Sequence, residues 1–177
     1  MRVEISGKTL ELIQGDITNE TTDVIVNAAN NGLRGGGGVD GAIHAAAGPS
    51  VMKECEAIGG CATGSAVITN AGNLKVRKII HTVGPIYRAG KIHVRHNLVS
   101  AYESSLELAV KNGLKSISFP SISTGAYGYP IVEASRVALE TIIKFLSERS
   151  GIELVRIVLF SERDFDAYSD MLRRLTR

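Results

Sequence analysis

Residues Asp23 to Ala47 read DVIVNAANNGLRGGGGVDGAIHAAA, and three kinds of text follow one another in them. DVIVNAA (23–29) is an apolar run with no polar face, as expected of a strand covered on both sides. Four glycines, Gly35 to Gly38, come next. Helical text then runs from Asp40 to Ala47 and stops at Gly48. A buried strand that leads through a glycine loop into a helix is the repeating unit of an α/β sheet.

The same alternation extends in both directions. VEIS (3–6) and TLELI (9–13) read as short strands with no helix between them, so at least one antiparallel pairing is expected. Pro49 to Ile58 reads as a helix with Pro in its first position. SAVITN (65–70), KIIHTV (78–83) and SISF (116–119) read as strands. Residues 94–112 form a helix, with Leu98, Tyr102, Leu106 and Ala109 at helical spacing and Asn112-Gly113 as its stop. Pro130 to Glu148 is a second amphipathic helix, and LVRIVLF (154–160) is a buried strand. Ser161 with Asp164 three residues on resembles a capping box that opens a last helix. The pattern predicts an α/β fold, a three-layer α/β/α domain around a mixed, largely parallel sheet, with residues 1–177 as a single domain.

Composition agrees with that size and class. The chain has 177 residues and 18.9 kDa, 44% hydrophobic and 21% charged. It needs neither disulfides nor a metal to fold. The net charge of +2 argues against a dedicated nucleic-acid binder, which usually carries a concentrated basic face. No apolar run reaches the roughly 18 residues of a membrane span. The N-terminal MRVEISGKTLELI is broken by Glu and Lys and does not read as a signal peptide. With only Cys55 and Cys61 as thiols, a cytoplasmic location is expected. Those two cysteines are too few for a structural zinc site, and no neighbouring His in sequence completes one, so no metal is expected.

In open α/β sheets, ligands bind beyond the carboxyl ends of the strands. Four unusual segments fall there: Gln14 to Thr18, Asn27 to the glycine run, Pro120 to Pro130, and Phe160-Ser161. The glycine run can bring main-chain N–H groups close to an anion, and a helix N-terminus follows it. No Lys-Ser/Thr pair follows the glycines, so the run is not a Walker loop. Ser123, Thr124, Gly125, Ala126 and Tyr127 form a second strand-to-helix loop. Neither loop, from Gly35 to Gly41 or from Ser123 to Tyr129, holds a Lys or Arg. Two such cradles suit an intact diphosphate bound by neutral donors better than phosphoryl transfer.

Asp40 is an acid in an anion loop and calls for a reason. It either favours the first turn of a helix or abstracts a proton from water. Asp16 is either a turn residue or an acceptor for an exocyclic amine such as that of adenine. Phe160 is either a core side chain or a ring that stacks on a base. His44 and His81 read as packed or backbone-bonded residues. Arg88, Lys91, His93, Arg95 and His96 read as a solvated loop, with contact to an acidic partner as the alternative.

Taken together, Asn27-Ala28-Ala29-Asn30, GGGGVDGAIH (35–44) and STGAYGYP (123–130) resemble a macrodomain of the MacroD type. Gln14 to Ile17 and His81 to Pro85 support the resemblance, which covers the chain from about residue 8 onward. It implies an α/β/α fold that binds ADP-ribose. It further implies hydrolysis of mono-ADP-ribose from acidic side chains and deacetylation of O-acetyl-ADP-ribose, without a metal or cofactor. The implied partners are ADP-ribose, O-acetyl-ADP-ribose and mono-ADP-ribosylated proteins. Carried over by position, Asp16 and the Ile17 main chain would bind adenine, and Phe160 would stack on it. Gly38, Val39 and Ser123 to Tyr127 would hold the diphosphate. Asn30 would contact the distal ribose, Tyr127 would flank it, and Asp40 would help activate a water. A reader module that binds ADP-ribose without cleaving it is the alternative, since a pure reader does not require Asn30 and Asp40. Poly(A) or RNA binding is a third reading, disfavoured by the near-neutral charge.

Overall fold

In the computed structural model, which describes all 177 residues, Val24–Ala28 forms an inner strand of the sheet. The strands are β1 (Arg2–Ile5), β2 (Lys8–Gln14), β3 (Val24–Ala28), β4 (Ala66–Asn70), β5 (Lys78–Thr82), β6 (Ser116–Phe119) and β7 (Leu154–Leu159). The helices are α1 (Gly38–Ala47), α2 (Pro49–Ile58), α3 (Ile92–Lys111), α4 (Ile131–Glu148) and α5 (Glu162–Leu175). Seven strands lie in the order β1-β2-β7-β6-β3-β5-β4. The inner pairs β2–β7, β7–β6, β6–β3 and β3–β5 are parallel. Both edge pairs are antiparallel: β1–β2, as expected from the missing helix between them, and β4–β5.

Strand β3 shows why a run without a polar face was required. Val24 and Val26 enter the larger core, roofed by α3, α4 and α5, while Ile25 enters the smaller core under α1 and α2. None of the three is more than 1% exposed. Each such side chain is worth about 1.5–3 kcal/mol when fully buried. A polar substitution would disrupt one core or the other.

The boundaries differ from the sequence reading at a few ends. Helix α1 starts at Gly38 rather than Asp40, because the last glycine of the loop already has the first helical position. Helix α3 starts at Ile92 rather than residue 94, so the basic stretch from Arg88 to His96 is half loop and half first helical turns. Pro130 is the residue before α4 rather than its first residue. The capping box is present: Ser161 Oγ accepts from the Asp164 N–H at 3.1 Å. No helix is long and apolar enough to cross a membrane.

Two buried polar systems fix the strand ends. On the sheet face away from the larger core, Arg156 donates to Glu11 at 2.8 Å and to Glu20 at 2.9 Å. Ser118 donates to the same Glu20 oxygen at 2.6 Å. Glu20 closes the 3₁₀ turn Ile17–Asn19, so these bonds hold that turn at the end of β2. Second, His81 on β5 is fully buried beside Asn27, its register partner on β3. Asn27 Nδ2 meets His81 Nδ1 at 3.1 Å, and His81 Nε2 meets Thr69 Oγ1 at 2.9 Å. The Thr69 hydroxyl donates to the Asn70 carbonyl, so Nε2 carries the ring proton and Nδ1 accepts. Burial, assisted by His44, pushes the His81 imidazole down to about 4.

Replacing Arg156 with Met leaves the buried Glu20 carboxylate without a cation and with the Ser118 hydroxyl as its remaining side-chain partner. A loss of about 3–5 kcal/mol in urea unfolding is expected. His81 is neutral when folded and titrates near 6.5 when unfolded, so the unfolded chain binds more protons between pH 6.5 and about 4. Stability therefore falls as the pH drops through that window. The fall should be smaller in His81→Gln, by up to about 3 kcal/mol at the acid end. Parallel urea midpoints at pH 7 and pH 5 for both proteins check this.

Candidate functional site

Two lobes of one crevice lie at the carboxyl ends of the parallel strands. The first, about 330 Å3, is walled by Ala28 to Asn30, Gly36 to Asp40, Gly84 and the loop Ser121 to Tyr127. The second, about 420 Å3, adds Gly15 to Ile17, Leu159, Phe160 and Asp164. Gly38, Val39, Ser121 and Gly125 belong to both, so the lobes are continuous. All four segments singled out at strand ends in the sequence thus meet in one place. Together the lobes have the volume of an ordinary small-molecule site.

The walls are defined by main-chain N–H groups without acceptors. From Gly36 to Asp40, none donates to any acceptor in the chain, and the first bond of α1 is Gly41 N–H to Gly37 carbonyl. The same holds from Ser123 to Tyr127, where only Gly128 and Tyr129 resume bonding. The first run opens α1, whose dipole adds positive potential there. The second run turns because Ser123 takes φ 66°, a left-handed conformation rare for a non-glycine residue, and Gly38 takes φ 58° in the first. Such turns converge successive amides on one point. The Ser123 hydroxyl is buried against the crevice and has no partner either. Gly84 lies directly behind it, where any Cβ would overlap the Ser123 Oγ.

Asp40 sits on the first turn of α1 and is only 6% exposed. Its Oδ1 accepts from Asn27 Nδ2 at 2.7 Å and lies 3.4 Å from His44 Nε2. Oδ2 is the oxygen turned to the glycine loop, 3.5 Å from where a Gly36 Cβ would stand. Asn27 therefore uses both amide hydrogens, one on Asp40 and one on His81. A continuous chain runs from Thr69 through His81 and Asn27 to Asp40. Sequence reasoning singled out the segment beginning at Asn27 but gave that residue no role, and it gave His44 and His81 only packing or backbone roles, whereas both contact side chains of this chain. The signal available was the strand position of Asn27, a polar residue inside an otherwise apolar run.

Asn30 does not point freely into the lobe. Its Nδ2 donates to the Gly35 carbonyl at 2.8 Å, and its Oδ1 accepts from the Arg34 N–H at 3.1 Å. It braces the glycine loop from the lobe wall. Asp16 is the turn residue that the sequence allowed. Its Oδ1 caps the 3₁₀ turn through Thr18, while the residue stays exposed in the second lobe. Ile17 is buried beneath that turn. Phe160 is no core residue: β7 ends at Leu159, and the ring is 84% exposed over the second lobe. Thr124 lies in the second lobe with its hydroxyl donating to Ser121. Ala126 and Tyr127 lie in the first.

One expectation needs correction. Two histidines do stand beside a cysteine: donor atoms of His44, Cys55 and His81 lie within 4.8 Å of one another. His81 is 26 residues from Cys55 in sequence, and pairing of β5 beside β3 brings it close. Both His81 nitrogens are engaged by Asn27 and Thr69. Burial holds the Cys55 thiol up at about 11, so it is protonated at neutral pH.

The family model described as Macro domain matches residues 26–138. A Cronobacter turicensis protein named O-acetyl-ADP-ribose deacetylase is 49% identical over 172 residues, 95% of this chain and 97% of that protein. The Oceanobacillus iheyensis macrodomain solved with ADP has a TM-score of 0.95 and 51% identity, covering 99% of this chain and 95% of that one. The Trypanosoma brucei macrodomain solved in complex with ADP-ribose has a TM-score of 0.87 and 42% identity, covering 92% of this chain and 68% of that one. The chain, with its mixed sheet and its glycine loop opening α1, belongs to the Macro domain family.

Proposed function

We propose that the crevice binds ADP-ribose and that the chain, as a single macrodomain, hydrolyses esters at the distal ribose. The two substrate classes are mono-ADP-ribose on acidic side chains and O-acetyl-ADP-ribose. The observation that carries the reading is the pair of acceptorless amide runs, Gly36 to Asp40 and Ser123 to Tyr127, bordering the same lobe as one carboxylate. Neutral N–H donors hold a diphosphate and repel cations, so the reading includes no metal in the cradle. Relatives named O-acetyl-ADP-ribose deacetylase, and a related structure solved with ADP-ribose, support it.

In this reading the adenine lies in the second lobe. Phe160 stacks on it, Asp16 Oδ2 accepts from its amine, and the Ile17 main chain flanks it. The diphosphate spans Gly38, Val39 and the Ser123 to Tyr127 amides, with the unpartnered Ser123 hydroxyl as a further donor. The distal ribose enters the first lobe between Asn30 and Tyr127. Asp40 Oδ2 faces that space and takes a proton from a water. Asn27 on Oδ1 fixes which oxygen does so. The water attacks either the ester carbonyl carbon, breaking the acyl C–O bond, or, where the ester is on it, the anomeric carbon of the ribose, breaking the C1–O bond, and the leaving oxygen receives the proton that Asp40 took from the water. Asn30 contributes by holding the loop in the shape that positions the ribose.

Calorimetric titration with ADP-ribose, followed by turnover of both esters, tests the reading. Binding without turnover of either ester makes the chain a reader. Asp40→Ala should lower turnover about 10²- to 10⁴-fold while ADP-ribose still binds. Unchanged turnover removes Asp40 from the mechanism. Phe160→Ala should weaken ADP-ribose roughly 5- to 150-fold without changing the rate at saturation. An unchanged dissociation constant places the adenine elsewhere.

A further inference from the structure

The charges around the crevice are segregated. No Asp or Glu stands between Glu56 and Glu103, or between Asp23 and Asp40, although the chain has 18 acids. These are the segments that border the first lobe. The second lobe carries Asp16 and Asp164, whereas the only acid of the first is Asp40, which is held from beneath by Asn27.

The segment Ile86 to Ile92 lies directly against the first lobe. The Tyr87 N–H donates to the Tyr127 carbonyl at 2.9 Å, and the Tyr87 ring packs on Tyr129 with centroids 4.9 Å apart. Arg88 and Lys91 on this segment are exposed and make no ion pair. Arg95, one turn further on, is engaged by Glu140 at 2.9 Å. Across the lobe, Arg34 is also exposed and unpaired, and its N–H is fixed to Asn30. Ile86 and Ile92 beside the cations are 56% and 77% exposed.

We infer that this lip, Arg88 and Lys91 with Arg34 opposite, docks an acidic polypeptide segment that flanks an ADP-ribosylated carboxylate side chain. The inference rests on the proposed binding of ADP-ribose with its adenine beside Phe160. In that orientation the ester points out of the first lobe, toward the three cations and away from Asp16 and Asp164. Whatever is attached to the ester meets a positive surface with two apolar side chains. Arg34, Arg88 and Lys91 make no ion pair and so remain complementary to Asp and Glu on the incoming chain, although Glu133 borders the segment and accepts from the Tyr87 hydroxyl at 3.4 Å. The isoleucines can contact the aliphatic parts of that chain. A nucleic acid would need a broader basic face than a chain of net charge +2 presents.

The test uses ADP-ribose joined by a non-hydrolysable linkage to two peptides that differ only in flanking Glu or flanking Gln. The wild-type chain should bind the Glu-flanked conjugate about tenfold more tightly at low salt, the worth of two or three exposed ion pairs. The advantage should shrink as salt rises. R88E/K91E should abolish or reverse it while the affinity for free ADP-ribose stays within twofold. Equal affinity of the wild type for both conjugates overturns the inference. So does a double variant that loses free ADP-ribose in the same proportion, or tighter binding of an ADP-ribosylated oligonucleotide than of the Glu-flanked peptide. If free ADP-ribose itself fails to bind, the underlying reading falls and this one with it. If it binds and the peptides are not distinguished, only the docking surface falls.

Discussion

Main-chain N–H groups that the fold leaves without acceptors define this molecule's working face. An amide deprived of an acceptor in a crevice costs on the order of 1–3 kcal/mol unless water or a ligand supplies one. Two runs of them occur here, and both begin where a parallel strand hands the chain to a helix. The sheet makes that possible. β3 and β6 are neighbours and run the same way, so their carboxyl ends present both loops to one crevice. The buried side chains of the two cores hold those strand ends, and neither loop has to carry its own stability.

The acid in this cradle is held by a different device. A carboxylate next to an anion site would swing away from the ligand if it were free. Asp40 cannot, because Asn27 fixes one oxygen, His81 fixes Asn27, and Thr69 fixes His81. Burial keeps His81 neutral, so its Nδ1 remains an acceptor and Asn27 cannot flip its amide without losing two bonds. The charge geometry of the crevice is therefore set by β3, β4 and β5 from beneath, not by the loop that carries Asp40.

Much of this was legible in the residues. The apolar run at 23–29, the two helices with clear apolar stripes and the capping pair Ser161/Asp164 express local rules, and each appears where those rules put it. The glycine loop and Ser123 to Tyr127 were legible as loops with free main-chain donors because glycine content and helix starts are local too. What lay beyond local text was pairing at a distance. The antiparallel β4–β5 edge, the approach of His81 to Cys55 and the Asn27–Asp40 bond depend on which strands become neighbours. The exposure of Phe160 turned on the strand ending one residue earlier than its apolar sequence suggested. Asn30 was legible as a residue at the strand end that lines the first lobe, but its bonds to the Arg34 N–H and the Gly35 carbonyl follow from the path of the loop.

The placement of charge divides the work between cradle and lip. A Lys or Arg in either loop would grip any phosphate, and its strength would fall steeply with salt. Amides are weaker individually, but they are fixed in direction, so in the proposed reading the loops would select the shape of a bent diphosphate rather than its charge alone. With binding of the common part assigned to neutral donors in that reading, the cations Arg34, Arg88 and Lys91 would be free to act on whatever lies beyond the ribose. Their long range suits encounter with a large charged partner, and their exposure keeps the energetic contribution of each small. A small ester would depend on the cradle alone, whereas a protein ester would meet both surfaces. In the proposed reading, one crevice would thereby treat two substrates of the same ADP-ribose core differently, and the difference would reside in Arg34, Arg88 and Lys91 rather than in the cradle.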